Sequence, residues 1–209
     1  MKPASNISIE PLQFHFDFIS PYGYFASLRI EALAARHGRT VDWRAMLLGV
    51  SVMKVMGLKP LMDTPLKGPY TARDVLRHAR EHGLAMKRQP NDPVMNPLPC
   101  ARAFAWVKQH QPEHAAALAH AIYAAYWGEG QDLSTPEALR GLALPEGLSA
   151  DAVAEAAAGD EAASLLRAMV DASLKAGVFG SPTVVVDGEP FWGADKLDQV
   201  ERWLTRGGW

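Results

Sequence analysis

Strand-forming segments are confined to the two ends of this sequence, and that distribution limits the possible folds more than any other feature. Aromatic residues at every second position in 14–19 predict one β-strand, and a similar alternation in 40–47 predicts another. Near the other end, the β-branched run 183–187 leads into Asp187-Gly188, a pair typical of a tight hairpin turn, and then into a short returning strand. A single sheet built from these segments brings the two ends of the chain together.

The rest of the sequence has mainly helical patterns. A helix is predicted for 22–37, and a strand, helix, strand unit of this length is typical of a parallel crossover. Residues 48–176 predict a short helix, an irregular Met-, Gly- and Pro-containing loop, and then a series of helices. These helices are predicted for 70–82, 99–110, 112–127, 135–142, 149–158, with Ser149 as its cap, and 160–176. A final amphipathic helix is predicted for 194–204. The order predicts a discontinuous α/β domain formed by 1–47 and 177–209, with 48–176 as an all-helical insertion.

Composition and charge argue against several classes of function. The chain has 209 residues, 48% of them hydrophobic, and a net charge of −2, with no basic cluster of the kind that binds nucleic acid. No apolar run approaches the ~18 residues of a membrane-spanning helix, and residues 1–13 lack the apolar core of an export signal. We therefore expect a soluble, cytoplasmic protein without a nucleic-acid or membrane partner.

Cys100 is the only cysteine in the sequence. An internal disulfide, a C-x-x-C redox pair and a cysteine-based zinc site are therefore impossible. Because Cys100 follows Pro99 near a predicted helix start, a reactive thiolate is conceivable there, but a small buried hydrophobic residue is the favoured interpretation.

His78 and His82 are four residues apart on a predicted helix and could share a metal ion. The sequence shows no obvious third ligand and no H-E-x-x-H motif, so a solvated helix face is the favoured interpretation and no metal is predicted. Phosphate-binding glycine loops and G-x-S-x-G elbows are also absent from the sequence.

Ser20 marks the point where the first predicted strand passes into the first predicted helix. Serine is a preferred N-cap, and Pro21 fits the first helical position. Ser20 can therefore be a structural cap and nothing more. Alternatively, the free N–H groups and the positive end of the helix dipole attract an anion, to which the hydroxyl donates a hydrogen bond.

A second serine-proline pair, Ser181-Pro182, precedes the C-terminal hairpin. Together with the order of strands and helices, this pair resembles the thioredoxin fold with a DsbA-like helical insertion. The resemblance implies an α/β fold of the DsbA or kappa-class glutathione transferase type, in which a cis peptide before Pro182 faces the start of the first helix. Residues 20–23, Ser-Pro-Tyr-Gly, stand where the redox members of that fold carry C-x-x-C.

Four stretches carry a more specific resemblance. They are FDFISPYGYFA at 16–26, PLKGPYTARD at 65–74, NPLPCARA at 96–103 and GVFGSPTVVVDGEPFWGADKL at 177–197. With the closing Gly-Gly-Trp, they are similar to the 2-hydroxychromene-2-carboxylate isomerases and their relatives, the kappa-class glutathione transferases, over nearly the whole chain. The resemblance implies reduced glutathione as the cofactor and a homodimer as the assembly.

The resemblance also implies roles for individual residues at the thiol end of glutathione. Ser20 would hold the sulfur, because a hydroxyl at a helix N-terminus stabilises a thiolate and lowers the pKa of the thiol. The backbone of Ser181, ahead of Pro182, would pair with the cysteinyl backbone of glutathione.

The two charged ends of glutathione would meet other residues. Asp195, with Ala194, would contact the γ-glutamyl end, and Lys67 the glycine carboxylate or a nearby polar group. On the sequence alone, Lys67 can equally be a solvated loop lysine, and Asp195 a charge at a helix start. Two positions depart from the kappa-class pattern: Leu58 stands where an asparagine is usual, and Ala194 lacks the hydroxyl of the common serine.

The implied reaction interconverts 2-hydroxychromene-2-carboxylate-type compounds and trans-o-hydroxybenzylidenepyruvates in aromatic degradation. Reversible addition of the thiolate makes a double bond single, rotation follows, and elimination returns the thiol. Tyr22, Asn96 and Trp192 are candidate contacts for this small aromatic carboxylate, although Tyr22 and Trp192 also suit a protein core. Two alternatives remain: a kappa-like glutathione transferase, and a non-catalytic DsbA-like module that binds peptides at the Pro182 groove.

Overall fold

Four short strands in residues 10–209 form one mixed sheet. They are β1 (Leu12–Phe16), β2 (Val41–Ala45), β3 (Thr183–Val186) and β4 (Glu189–Trp192), in the spatial order β2-β1-β3-β4. β1 pairs in parallel with β2 and antiparallel with β3, and β3 and β4 form an antiparallel hairpin. The two ends of the chain thus meet where β1 pairs with β3, as the sequence predicts.

The structure is a computed structural model and describes residues 10–209. Residues 1–9, which make up most of the stretch expected to lack an export signal, lie outside the described residues. Within the described part of the chain, no helix is both long enough and apolar enough to cross a membrane.

Helices fill the chain between and after the strands. α1 connects β1 to β2, five further α-helices follow β2, and the last packs near the C-terminal hairpin. The α-helices of residues 10–209 are α1 (Pro21–Arg36), α2 (Lys67–Glu81), α3 (Leu98–His110), α4 (Ala115–Tyr123), α5 (Ala150–Ala158), α6 (Asp160–Lys175) and α7 (Leu197–Arg206).

Two predicted helix starts are confirmed by their hydrogen bonds. Ser20 caps α1, because its Oγ accepts a hydrogen bond from the N–H of Gly23 at 3.0 Å. Ser149 caps α5 in the same way, accepting from the N–H of Ala152 at 3.3 Å. Each bond satisfies one of the backbone donors that a helix start leaves unpaired.

The predicted start of α2 is wrong by three residues. The helix begins at Lys67, three residues before the predicted start at residue 70. Pro69 does not prevent this, because the N–H that proline lacks would have no partner in the first turn of a helix. Lys67 is therefore an exposed residue at a helix N-terminus, and its interpretation as a loop lysine is wrong.

Two other predicted helices are less regular than expected. The segment 112–127 consists of a 3₁₀ turn (Pro112–His114), α4 and a π-helical turn (Ala124–Gly128). The segment 135–142 contains only the 3₁₀ helix Glu137–Gly141. Such short runs between proline and glycine favour the tighter 3₁₀ geometry.

β1 is buried on both faces, although a period-two pattern by itself implies one covered face. The Phe16 ring meets the Phe104 ring of α3 edge to face, with centroids 5.0 Å apart. The neighbouring His15 is equally buried, and its Nδ1 lies 2.9 Å from Oγ of Ser173 on α6. Burial lowers the pKa of His15 to about 4, and the positive charge of Arg44 adds to this effect.

All four strands lie within 1–47 and 177–209, and residues 48–176 contain helices, turns and loops. One continuous cluster of buried side chains joins both parts, for example where the Phe16 ring contacts Phe104. The division of the chain into a discontinuous α/β domain and a helical insertion domain remains a prediction.

Candidate functional site

Ser20 and the loop before β3 form the centre of the candidate site. The Ser20 hydroxyl is buried at the N-terminus of α1 and donates a hydrogen bond to the carbonyl oxygen of Ser181 at 3.0 Å. The structure therefore brings together two residues that are 161 positions apart in the sequence. A hydroxyl at the positive end of a helix can stabilise an anion, as the sequence analysis requires of Ser20.

The peptide bond between Ser181 and Pro182 is cis. Pro182 cannot donate a backbone hydrogen bond, but its carbonyl oxygen accepts one from the N–H of Gly193 at 2.9 Å. This bond fixes the loop before β3 against the segment that carries Ala194 and Asp195. The cis peptide expected from the resemblance is thus present, and its carbonyl before Pro182 faces Ser20.

Asp17 lies beneath this junction, and the sequence analysis did not assign it a role. Its N–H donates to Oγ of Ser181 at 2.9 Å. Its two carboxylate oxygens accept hydrogen bonds from the N–H groups of Ile19 at 3.2 Å and Leu48 at 2.8 Å. Asp17 therefore links three segments: the end of β1, the cis-proline loop, and Leu48, which lies shortly after β2 where the helical part of the chain begins.

Burial raises the pKa of the Asp17 carboxyl from its ordinary value of 3.8 to about 6, and the donated backbone hydrogen bonds oppose this rise. Desolvation is the larger effect, because the carboxyl has no contact with water. A sequence signal did exist: Asp17 is the only acidic residue within the aromatic segment that precedes Ser20. Its partner Leu48 could not be identified, because the contact is tertiary.

Gly23, at the third position of α1, leaves room for the other members of the site. A Cβ atom there would lie 2.6 Å from the hydroxyl oxygen of Tyr123 and 3.0 Å from Oγ of Ser181. The Tyr123 hydroxyl in turn donates to the carbonyl oxygen of Asp17 at 3.1 Å. A side chain at this position would displace the hydrogen-bonded groups around Ser20.

Lys67, the first residue of α2, provides a positive charge in addition to the positive end of the α1 dipole. A cation at the N-terminus of a helix is unfavourable for the helix itself, because it opposes the dipole. The residue before it, Leu66, has a φ angle of 67° and is 88% exposed, a conformation that costs energy for a non-glycine residue. The N–H groups of Lys67, Gly68 and Tyr70 already donate to backbone carbonyl oxygens, and Pro69 has no N–H. The exposed ammonium group of Lys67 is therefore the group at this helix start that can hold a carboxylate.

Asp195 and Ala194 lie just after Gly193, in the 3₁₀ turn before α7. Ala194 is buried, whereas Asp195 is exposed and pairs with Nζ of Lys196 at 2.8 Å. A carboxylate in this position can bind an ammonium group by exchanging one amine partner for another.

Two of the three candidate substrate contacts, Tyr22 and Trp192, lie next to Ser20 and to the cis-proline loop, respectively. Tyr22, in the first turn of α1, donates from its hydroxyl to Oδ2 of Asp74 at 2.7 Å, and burial and this bond raise its pKa. Trp192 ends β4 and is 55% exposed, so it is not a core residue. Its ring meets the ring of Phe179, with centroids 4.8 Å apart. Phe179 is a surface aromatic that the sequence analysis did not single out.

Asn96 is instead hydrogen-bonded to residues outside the centre of the candidate site. Its Oδ1 accepts from the N–H of Leu98 at 3.1 Å, and its own N–H donates to Oγ of Ser134 at 3.0 Å. These bonds fix the turn that leads into α3, and none of them joins Asn96 to Ser20 or to the cis-proline loop. Asn96 as a substrate contact remains a prediction.

Cys100 and the His78–His82 pair, the two other features predicted from the sequence, have different outcomes. Cys100 is buried and free, and burial raises the pKa of its thiol far above the ordinary range, so the prediction of a small buried residue is confirmed. The statement that His78 and His82 lack a third ligand is wrong. Glu81 offers a carboxylate oxygen, and the three potential ligand atoms lie within 4.8 Å of one another.

The fold and this site define a class: a thioredoxin-type α/β protein with helices inserted between its two sheet-forming parts, and with serine where redox members carry a cysteine. The chain belongs to the DSBA-like thioredoxin domain family, whose model matches residues 11–205. The fold class expected from the sequence is thereby confirmed.

Particular relatives support the more specific resemblance. The chain is 29% identical, over 194 residues, to a 2-hydroxychromene-2-carboxylate isomerase of Sphingobium xenophagum, covering 92% of this chain and 97% of the relative. A solved structure of a 2-hydroxychromene-2-carboxylate isomerase matches with a TM-score of 0.76 and 25% identity, over 93% of this chain and 94% of the other. Human glutathione S-transferase kappa 1 is 25% identical over 210 residues, with 92% of each chain covered.

Proposed function

We propose that this protein is a glutathione-dependent isomerase that interconverts 2-hydroxychromene-2-carboxylate-type compounds and trans-o-hydroxybenzylidenepyruvates in aromatic degradation. One observation carries the proposal: the Ser20 hydroxyl, at the positive end of α1, faces the carbonyl ahead of cis-Pro182 at 3.0 Å. The similarity to proteins named 2-hydroxychromene-2-carboxylate isomerase supports the choice of reaction.

The residues around Ser20 suit a thiolate. The Ser20 hydroxyl now donates to Ser181, and rotation of its hydrogen about the Cβ–Oγ bond can transfer that donor to a bound sulfur anion without moving Oγ from the helix cap. The N-terminus of α1 lowers the pKa of a thiol held there. Ser20 is in this scheme the stabiliser of the thiolate and not the nucleophile.

The charged groups suit the two ends of glutathione. The Lys67 ammonium group would hold the glycine carboxylate, and Asp195, beside Ala194, the γ-glutamyl ammonium group. The backbone of Ser181 would pair with the cysteinyl backbone once Ser20 has turned to the sulfur. The missing hydroxyl at Ala194 and the apolar side chain of Leu58 predict fewer polar contacts to glutathione than in kappa-class transferases.

When bound, glutathione supplies a thiolate whose reversible addition to a conjugated double bond permits rotation about that bond. Ser20 stabilises the negative charge of the thiolate before addition and again after elimination. The cofactor therefore leaves the reaction unchanged. Trp192 and Phe179 are exposed rings that contact each other near the cis-proline loop, and Tyr22 lies in the first turn of α1. These rings are suited to a planar aromatic carboxylate.

The first test is calorimetric titration with reduced glutathione, followed by a spectrophotometric isomerisation assay with and without it. We expect binding and glutathione-dependent interconversion. Ser20→Ala should abolish most of the turnover while reducing stability by about 2 kcal/mol, about 1 for the helix cap and about 1 for the lost hydrogen bond to Ser181. Ser149→Ala is the matched control, because it removes the same cap bond from α5. Equal effects of the two substitutions on turnover would contradict the role of Ser20.

The same experiment distinguishes the alternatives. The similarity to human glutathione S-transferase kappa 1 favours a kappa-like transferase as the second candidate, which would release a stable thioether instead of returning the thiol. Failure to bind glutathione would favour a DsbA-like module that binds peptides at the Pro182 groove. The proposal places the protein in the cytoplasm, where glutathione is reduced. It also includes a homodimer, which light scattering after size-exclusion chromatography tests.

A further inference from the structure

Three potential metal ligands lie together at the C-terminal end of α2, on the surface of the protein. His78, Glu81 and His82 occupy positions i, i+3 and i+4, which share one face of a helix. Their ligand atoms lie within 4.8 Å of one another, and no other group of three such side chains meets this condition in residues 10–209. In sequence they form the pattern H-x-x-E-H, the reverse of the H-E-x-x-H motif.

The ligand atoms of this cluster have few other partners in the protein. Among the described residues, neither Glu81 nor the His82 ring takes part in a side-chain hydrogen bond or an ion pair. Nδ1 of His78 is buried and has no hydrogen-bond partner. A buried ring nitrogen without a partner is uncommon, because leaving such a group unpaired costs free energy.

The surroundings of His78 favour a bound cation. Its Nε2 lies 3.8 Å from Oδ2 of Asp74, one turn earlier on α2, which is beyond hydrogen-bond distance, and Asp74 already accepts hydrogen bonds from Tyr22 and Arg77. Histidines that bind a metal through one ring nitrogen usually donate from the other to a carboxylate, and a small shift of the ring would allow His78 to do so. The cluster also lies at the C-terminus of α2, where the negative end of the helix dipole attracts positive charge.

Packing already restricts the orientation of His78. Its ring stacks on the ring of Phe25, with centroids 5.7 Å apart and planes at 22°, and meets the edge of Tyr22. The His82 ring lies nearly parallel to it, 6.2 Å away. Because Glu81 and His82 are exposed, their side chains can rotate to bring ligand atoms to the separation of about 3.3 Å that tetrahedral Zn–N bonds of about 2.0 Å require.

We propose that His78, Glu81 and His82 form a binding site for a divalent transition-metal cation, with Zn²⁺ as its best-suited occupant. Two imidazoles and one carboxylate are a donor set that Zn²⁺ commonly uses, and a fourth position remains for water. The site is separate from the residues assigned to glutathione and does not depend on the proposed function.

The test is calorimetric titration of the full protein with ZnCl₂ in a non-chelating buffer near neutral pH, after treatment with a chelator. We expect one Zn²⁺ per chain. His82→Ala and Glu81→Gln should each weaken this binding by at least about tenfold, the smaller of the losses typical of changes around a metal site. Both residues are exposed, so neither change should affect folding.

His110→Ala is the matched control, because His110 also lies on a helix beside a glutamate, Glu161, but belongs to no group of three ligands. In parallel, paramagnetic Co²⁺ should broaden the ring NMR signals of His78 and His82 before that of His110. The proposal is overturned by the absence of one-to-one binding, or by binding that His82→Ala and Glu81→Gln leave unchanged. Glutathione binding, measured on the same variants, should not change.

Discussion

Replacing Asp17 by asparagine should change how the stability of this protein depends on pH. The Asp17 carboxyl has its pKa raised by burial from 3.8 to about 6. A folded-state pKa above the unfolded value means that the folded protein binds the proton more tightly. The stabilising contribution is therefore complete below pH 3.8 and is lost as the pH rises through about 6.

The size of the effect follows from the size of the pKa rise. Because one pKa unit corresponds to about 1.4 kcal/mol, the rise at Asp17 amounts to about 3 kcal/mol. The free energy of unfolding of the natural protein, minus that of Asp17→Asn, should fall by about 2 kcal/mol of this between pH 4 and pH 7. Asparagine also turns an NH₂ group toward the N–H of Ile19 or Leu48, which adds a loss of about 1–3 kcal/mol that does not vary with pH.

The measurement is urea unfolding of both proteins at several pH values, with the difference plotted against pH. His15, whose pKa is lowered to about 4, acts in the opposite direction, since its contribution is lost as the pH falls below 6.5. His15 is present in both proteins, so its effect cancels in the difference. Asp132→Asn is the control: hydrogen bonds from Ser134 lower the pKa of this exposed carboxyl, so its small contribution is lost at low pH. Parallel curves for the natural protein and Asp17→Asn would refute the reasoning.

Three further predictions concern the candidate site. Gly23→Ala should destabilise the protein by about 1–3 kcal/mol in urea unfolding, because its Cβ would lie 2.6 Å from the Tyr123 hydroxyl oxygen, whereas Gly141→Ala, which meets open space, should have little effect. Lys67→Ala should weaken glutathione binding in calorimetry by about tenfold or more, the value of a hydrogen bond to a charged group, and Lys59→Ala should not; equal losses would exclude a specific role for Lys67. Trp192→Ala should raise KM for the aromatic substrate severalfold, by losing about 1 kcal/mol of ring contact, without changing the Kd of glutathione; a change in glutathione affinity alone would instead place Trp192 at the cofactor.

Local features of the sequence were sufficient to predict much of the fold. The Ser20-Pro21 junction, the Ser149 cap and the hairpin at Asp187-Gly188 each depend on residues adjacent in sequence, and all are present in the structure. The joint occurrence of the first and last motifs gave the fold class and the family. The position of Glu81 beside His78 and His82 was also accessible from helical spacing, but the reversed motif order concealed it.

The tertiary structure decided which groups meet around Ser20. The sequence could identify Ser181 only through resemblance, whereas the folded chain places its carbonyl oxygen 3.0 Å from the Ser20 hydroxyl. It also buries Asp17, which raises the pKa of a carboxyl that the sequence alone would leave ordinary, and it supplies the N–H of Leu48, whose hydrogen bond opposes that rise. Caps, turns and helical faces depend on neighbours within a few residues, so a sequence determines them directly. Desolvation and hydrogen bonds between distant segments exist only after the chain has folded, and for this reason only the tertiary structure could reveal them.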